Sequence, residues 1–177
     1  MSATLPQNVI RFCPKCGSVE FNYRSDNSFG CAQCKFQLYV NSAAAVAALI
    51  VDEKGRLLLT RRALEPNKGM LDLPGGFVDV METAEEALER EIKEELDLKL
   101  DHYTYFTSFP NEYVFGGLSV FTLDLAYICQ VNSFQNIKAM DDISDFEFFH
   151  PTEIRLDEIC SGSIQSIIQR YMRFCDN

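Results

Sequence analysis

Residues 76–98 read GFVDVMETAEEALEREIKEELDL, from Gly76 to Leu98. Thr83 followed three residues later by Glu86 is a capping box, the signature of a helix start. Ala84, Ala87, Leu88, Ile92 and Leu96 then recur at helical spacing and define one apolar face, so a helix is expected over Thr83–Leu96. The other face carries Glu91, Glu94 and Glu95, which offsets of three and four residues bring together on one side. Like charges at that spacing repel, and such a face costs stability unless something neutralises it. Divalent cations that prefer oxygen ligands, Mg²⁺ or Mn²⁺, are the natural partners. From Gly75 to Leu100 there are nine acids against three bases, Arg90, Lys93 and Lys99. Charge alone also fits a solvated acidic helix.

Outward from this stretch, Leu71-Asp72-Leu73-Pro74-Gly75-Gly76 reads as a short strand ending in a Pro-Gly-Gly turn. Ala43–Val51 is the most apolar run and fits a buried strand. The turn Asp52-Glu53-Lys54-Gly55 and a second strand, Arg56–Arg62, make it a hairpin. Downstream, Tyr103–Ser108, Leu118–Gln130 and Phe146–Phe149 read as strands. Thr152–Ile154 and Ser163–Phe174 read as helices, the latter apolar at Ile164, Ile167, Ile168, Tyr171 and Met172.

Four of the seven cysteines lie near the start, as Cys13-Pro-Lys-Cys16-Gly17 and Cys31-Ala-Gln-Cys34. Two Cys-x-x-Cys knuckles present four soft thiolates, which suits a closed tetrahedral zinc site. Phe12, Phe21, Tyr23, Phe29, Phe36 and Tyr39 are spaced as in short strands, and the segment looks like a zinc ribbon. With four thiolate ligands no position is left for water, so this zinc is structural, and it would supply folding energy that so short a segment cannot obtain from burial. Two disulfides would need an oxidising compartment. Cys129, Cys160 and Cys175 have no paired spacing and read as bystanders.

The 177 residues carry a net charge of −10, which argues against a general binder of nucleic acid. An acidic chain can still bind phosphates where metal ions supply positive charge. Residues 1–42 carry four bases against two acids. The first residues show no secretory signal and no apolar run reaches the ~18 residues of a membrane span, so a reducing cytoplasm without membrane attachment is expected. The boundary between the two pieces falls near Val40–Ala44, giving a ribbon over 1–42 and a larger domain over 43–177.

The run Gly76-x5-Glu82-x7-Arg90-Glu91-Ile92-x-Glu94-Glu95-x-Asp97-Leu98 resembles the box of the Nudix hydrolase family, with eight of nine fixed positions matched. Asp97 stands where the family has glycine, and Met81 where a glycine commonly precedes the first Glu. The resemblance implies an α/β Nudix fold, a mixed β-sheet sandwiched between helices, preceded here by the ribbon. It implies cleavage of a nucleoside diphosphate linked to another moiety, by attack of water on phosphorus with Mg²⁺ or Mn²⁺ bound. Glu94 and Glu95 would be metal ligands, and Glu91 a ligand or base. Glu82 would lie in an outer shell, Arg90 would orient a carboxylate, and a backbone carbonyl at Gly76 would complete the coordination. Glu91 and Glu112, the latter placed in a loop, are the candidates for general base. Homodimers are common in the family.

A four-cysteine ribbon before such a domain is similar to the NADH pyrophosphatase branch. That branch carries Ser-Gln-Pro-Trp-Pro-Phe-Pro after its box, where this chain has Ser108-Phe109-Pro110-Asn111-Glu112-Tyr113 and no tryptophan at all. A dinucleotide-type substrate is therefore expected without NADH specificity, leaving ADP-ribose, NADH and FAD open. Phe109 and Tyr113 are candidates for stacking on a base. Two alternatives stand beside this reading. One is a ligand sensor of the same fold whose ribbon binds nucleic acid or protein. The other is a hydrolase of NAD-type RNA caps.

Overall fold

The computed structural model describes residues 2–175; Met1, Asp176 and Asn177 lie outside them. The chain forms two compact units, one comprising the residues up to Ser42 together with Glu112–Phe121, the other Ala43–Asn111 with the residues from Thr122 onward.

In the first unit a single helical turn, α1 (Pro6–Val9), precedes an antiparallel sheet of β1 (Phe21–Tyr23), β2 (Ser28–Cys31) and β3 (Gln37–Tyr39), with β2 central. Phe21 pairs with Cys31, and Tyr23 with Phe29, so the buried side chains Cys13, Phe21, Phe29 and Cys31 form a small core, with Phe36 and Leu38 packed on it. Phe21 and Phe29 stack with ring centroids 5.2 Å apart.

The second unit contains β4 (Ala43–Ile50), β5 (Leu57–Arg62), β6 (Leu71–Asp72), α2 (Ala84–Leu96), β7 (Leu100–Phe115), β8 (Leu118–Val131), β9 (Ile143–Phe149) and α3 (Gly162–Cys175), with 3-10 turns at Pro151–Glu153 and Leu156–Glu158. The two long strands β7 and β8 continue into the first unit at their turn. One sheet has the order β4-β8-β7 and is mixed, β4 running parallel to β8 from Ala43↔Thr122 to Ile50↔Cys129. The other is antiparallel in the order β6-β5-β9. The period-2 alternation of β4 decides which helix covers which face. Val46, Ala48 and Ile50 pack with Ala87, Leu88, Ile92 and Leu96 of α2, whereas Ala47 and Leu49 pack with Ile164, Ile167 and Ile168 of α3. The sheets are thus enclosed between α2 and α3.

The starts of both helices are satisfied locally. Thr83 caps α2, its hydroxyl accepting from Glu86 N at 3.1 Å while the Glu86 carboxylate accepts from Thr83 N at 2.9 Å. At α3 the Ser161 hydroxyl accepts from Ile164 N. The buried Asp124 of β8 accepts from the Thr122 hydroxyl at 2.6 Å and from the Ser163 hydroxyl, pinning the start of α3 to the mixed sheet.

Three sequence expectations change. The expected β4–β5 hairpin survives as one bridge, Val51↔Leu57, after which the strands enter different sheets. β7 does not stop at Ser108 but runs on through Pro110 to Phe115, because β7 is an edge strand and a missing N–H there breaks no ladder. The short helix expected over Thr152–Ile154 is a 3-10 turn, Pro151–Glu153, opened by proline.

Candidate active site and cysteine centre

The segment before α2 runs alongside β4. Ala48 N donates to Pro74 O and Val46 N to Gly76 O, both at 2.8 Å, and Val78 N donates to Ala44 O at 3.0 Å. The two glycines here answer to different demands. Gly75 has φ +142° and lies so close to β4 that a Cβ would meet the Val46 carbonyl oxygen at 2.1 Å. A Cβ on Gly76 would instead meet the Glu91 carboxylate, 2.5 Å from its Oε1. A side chain at Gly76 would therefore require the Glu91 carboxylate to move.

Arg90 gathers the carboxylates. Its Nε and Nη2 donate to Glu82 Oε1 and Oε2, both at 2.8 Å, in a two-pronged fork. Nη2 also reaches the Phe77 carbonyl at 2.9 Å. Nη1 donates to Glu91 Oε1 at 2.7 Å and to Glu94 Oε2 at 3.1 Å. The fork holds the Glu82 carboxyl down to about 2. Burial pushes Glu91 above the ordinary carboxylate range in spite of Arg90. Glu95 stands apart: only 4% exposed, it accepts from Gly75 N at 2.9 Å, and burial drives its carboxyl up to about 9. One guanidinium shared by Glu82, Glu91 and Glu94, with Glu95 buried beside them, leaves negative charge that a hard cation on oxygen ligands would neutralise. In chemical kind these oxygen donors suit a hard divalent cation.

The fold brings Glu82, Arg90, Glu91 and Glu94 into one hydrogen-bonded group and places Glu95 one helical residue further on. Among the described residues the four cysteines are the group whose potential ligand atoms already converge as a metal would need. The Gly76 carbonyl accepts one bond, from Val46 N. Phe109 is half-buried against the α3-side core. Glu112 and Tyr113 lie on β7 rather than in a loop and belong to the first unit; Glu112 is exposed and Tyr113 half-buried.

Sequence reading missed the segment that closes the far end of α2. Lys138 N donates to Leu96 O at 3.2 Å and Met140 N to Glu95 O at 2.9 Å, satisfying helix carbonyls that lack intrahelical partners. This brings in Asp142, whose charge opposes ionisation of both Glu91 and Glu95. The Asp141-Asp142 pair is visible in the sequence, but nothing local ties it to a helix more than forty residues upstream. The Arg62–Asp72 ion pair at 2.9 Å, with its half-buried carboxylate, was equally invisible.

In the first unit the two knuckles repeat one geometry. Gly17 N donates to Cys13 O and Lys35 N to Cys31 O, while Cys13 N and Cys31 N donate to Ser18 O and Phe36 O at 2.9 Å. The Cys13–Cys34 and Cys16–Cys31 sulfurs are each 3.7 Å apart, and all four lie within 4.8 Å of one another. A disulfide needs about 2.05 Å. A tetrahedral zinc with bonds of about 2.3 Å needs sulfurs about 3.8 Å apart, which these match. The Cys34 N–H on its sulfur lowers the Cys31 thiol toward the thiolate form that a metal ligand takes, while Cys16, beside the other sulfurs, is pushed the opposite way.

Among the described residues no helix is long and apolar enough to cross a membrane. Residues 41–168 match the NUDIX domain. The chain is 34% identical over 142 residues to an ADP-ribose pyrophosphatase of Methanocaldococcus jannaschii, covering 79% of each protein. It is 30% identical over 116 residues to the NAD-capped RNA hydrolase NudC of Haemophilus influenzae, covering 62% of this chain but only 43% of that one. A NUDIX hydrolase from Nitrosomonas europaea shares the fold, with a TM-score of 0.69 at 21% identity over 93% of this chain and 91% of that one. With the domain matched over most of its length and the box carboxylates gathered on α2, the chain belongs to the Nudix hydrolase family.

Proposed function

We propose that the protein is a divalent-metal-dependent pyrophosphohydrolase that splits the diphosphate of an ADP-ribose-type nucleotide, releasing a nucleoside monophosphate. The observation that carries this reading is the complete set of box acids, with Glu82, Glu91 and Glu94 gathered about Arg90 and Glu95 buried on Gly75 N. Bound Mg²⁺ or Mn²⁺ would neutralise phosphate oxygens and acidify an attacking water. Glu91, Glu94 and Glu95 would hold it, with the Gly76 carbonyl as a further donor. Glu91 would be either a ligand or the base that accepts a proton as water attacks phosphorus. Glu82 keeps Arg90 in place from outside the helix. ADP-ribose heads the substrates because the relative matched over most of its own length is named for it. Dimeric assembly is part of this reading, and the cysteine quartet is its structural zinc site.

The test is a screen with Mg²⁺ and Mn²⁺ against ADP-ribose, NADH, NAD, FAD, diadenosine polyphosphates and coenzyme A, with products identified. Glu94→Gln is expected to abolish metal-dependent AMP release while circular dichroism stays unchanged; undiminished turnover would overturn the role of Glu94. The likeness to a NAD-capped RNA hydrolase and the net positive first 42 residues favour one second reading, action on RNA caps. Competition between ADP-ribose and NAD-capped RNA separates the two: a cap enzyme would cleave the RNA at concentrations where ADP-ribose barely competes.

A further inference from the structure

We infer that Arg90 is a stand-in for the divalent cation, competing with it for Glu91 and Glu94 while Glu82 keeps the guanidinium at hand. The inference rests on the reading that Glu91 and Glu94 are metal ligands, and it concerns what their neighbour does before and after a metal arrives.

The guanidinium is divided between two tasks. Nε and Nη2 lie on Glu82, both at 2.8 Å, and Nη2 also on the Phe77 carbonyl at 2.9 Å. Those acceptors precede α2 and hold one edge of the group. The remaining nitrogen, Nη1, lies on Glu91 at 2.7 Å and Glu94 at 3.1 Å. A residue needed only to aim one carboxylate would use one bond. Nη1 instead bridges the two carboxylates that the three-residue offset sets side by side, which is where a cation shared by them must act. Two positive charges cannot occupy that gap without repelling each other at short range. Deprotonation offers no escape, because an arginine guanidinium does not lose its proton in a protein. Metal entry therefore loosens the Nη1 bonds and leaves the Glu82 fork intact. In the other direction, Arg90 spares the metal-free helix the full repulsion between Glu91 and Glu94. Arg90 is on this account a positioning residue that lowers metal affinity, opposite in sign to a residue that merely orients ligands for the metal.

Mn²⁺ binding by the metal-free protein, read by electron paramagnetic resonance, tests this in the full chain. Arg90→Gln is expected to bind Mn²⁺ about ten-fold more tightly, a change of about 1.4 kcal/mol. Its unfolding temperature should drop without metal and recover with it. Weaker or unchanged Mn²⁺ binding by this variant would overturn the inference. Should Arg90→Gln fold only when Mn²⁺ is present, that also supports it, and Arg90→Lys, which cannot fork, should then fold and show an intermediate affinity. A second readout needs no substitution. In the wild-type protein labelled with ¹⁵N, Mg²⁺ should shift and speed exchange of the Arg90 Nη1 protons while Nε–H stays protected; Nη1 protons that stay equally protected would overturn the inference. Glu94→Gln serves as the control. If it fails to weaken Mn²⁺ binding, the metal-site reading itself falls. If it weakens binding while Arg90→Gln does not tighten it, only the competition falls.

Discussion

Met81 and Asp97 stand where the family's box favours glycine, and both backbones sit in the left-handed region, at φ 69° and 53°. The chain has kept the glycine conformation without the glycine, which costs a residue with a Cβ about 1–2 kcal/mol. The two positions differ in what offsets that cost. Met81 is 96% exposed, so its side chain gains almost nothing from burial. Asp97 closes α2, with its N–H on Lys93 O at 3.1 Å and its carboxylate against Lys93 and Lys138. Met81→Gly is therefore expected to raise stability by about 0.5–1 kcal/mol, the relief being trimmed by the greater freedom of glycine in the unfolded chain. Asp97→Gly should gain less, since it also deletes the lysine contacts. Urea midpoints of the two variants measure this directly, and a destabilised Met81→Gly would show that the methionine has a partner its exposure does not reveal.

At the scale of elements, α2 carries a pH dependence that its own packing creates. Burial of Glu95 lifts its carboxyl from an ordinary value near 4.5 to about 9. Between those values the folded helix keeps a proton that the unfolded chain has released, so the unfolded state binds fewer protons and stability must fall as pH rises. Without divalent metal, the unfolding free energy should decline from about pH 5 to pH 9, and Mg²⁺, by neutralising the carboxylate, should restore most of the loss at the alkaline end. Asp72, also lifted by burial, adds to the slope, so the decisive comparison is Glu95→Gln. That variant should show a flatter profile than wild type, and an identical slope would remove Glu95 as its source. The helix behind this prediction is also the element most legible in the sequence. Its cap, apolar stripe and acidic face are all encoded within a few residues of one another. What the sequence hid depends on distant partners. Pro110 looks like a strand terminator until β7 proves to lie at a sheet edge. Ala43–Val51 and Arg56–Arg62 look like a plain hairpin until each finds a better partner, β8 for one and β9 for the other. Asp142 reaches the box only because its neighbours Lys138 and Met140 satisfy the last carbonyls of α2.

At the scale of the whole molecule, sequence order and compact units do not coincide. The turn between β7 and β8, built on Gly116 and Gly117 with φ of 56° and 79°, belongs with the cysteine unit although it is encoded far downstream. Thr4 ties it there: Ser119 N donates to Thr4 O at 2.7 Å, and the Thr4 and Ser119 hydroxyls, 115 residues apart in the chain, are 2.9 Å apart. The buried residues of this unit are few and two of them are cysteines, so its order depends on whatever holds the four sulfurs together. Removing the zinc proposed for this quartet should therefore act beyond the ribbon strands. With a strong chelator, hydrogen exchange is expected to accelerate in β1–β3 and, in step with them, at Glu112–Phe121, while Val46–Ile50 and Leu88–Leu96, which lie in the separate cores about α2 and α3, keep their protection. Restoring zinc should slow both segments together. If the strands lose protection while Ser119 N keeps it, the tip is held by its own hairpin and the cysteine unit ends at Ser42. If neither responds, the cysteines do not hold a metal that the fold requires.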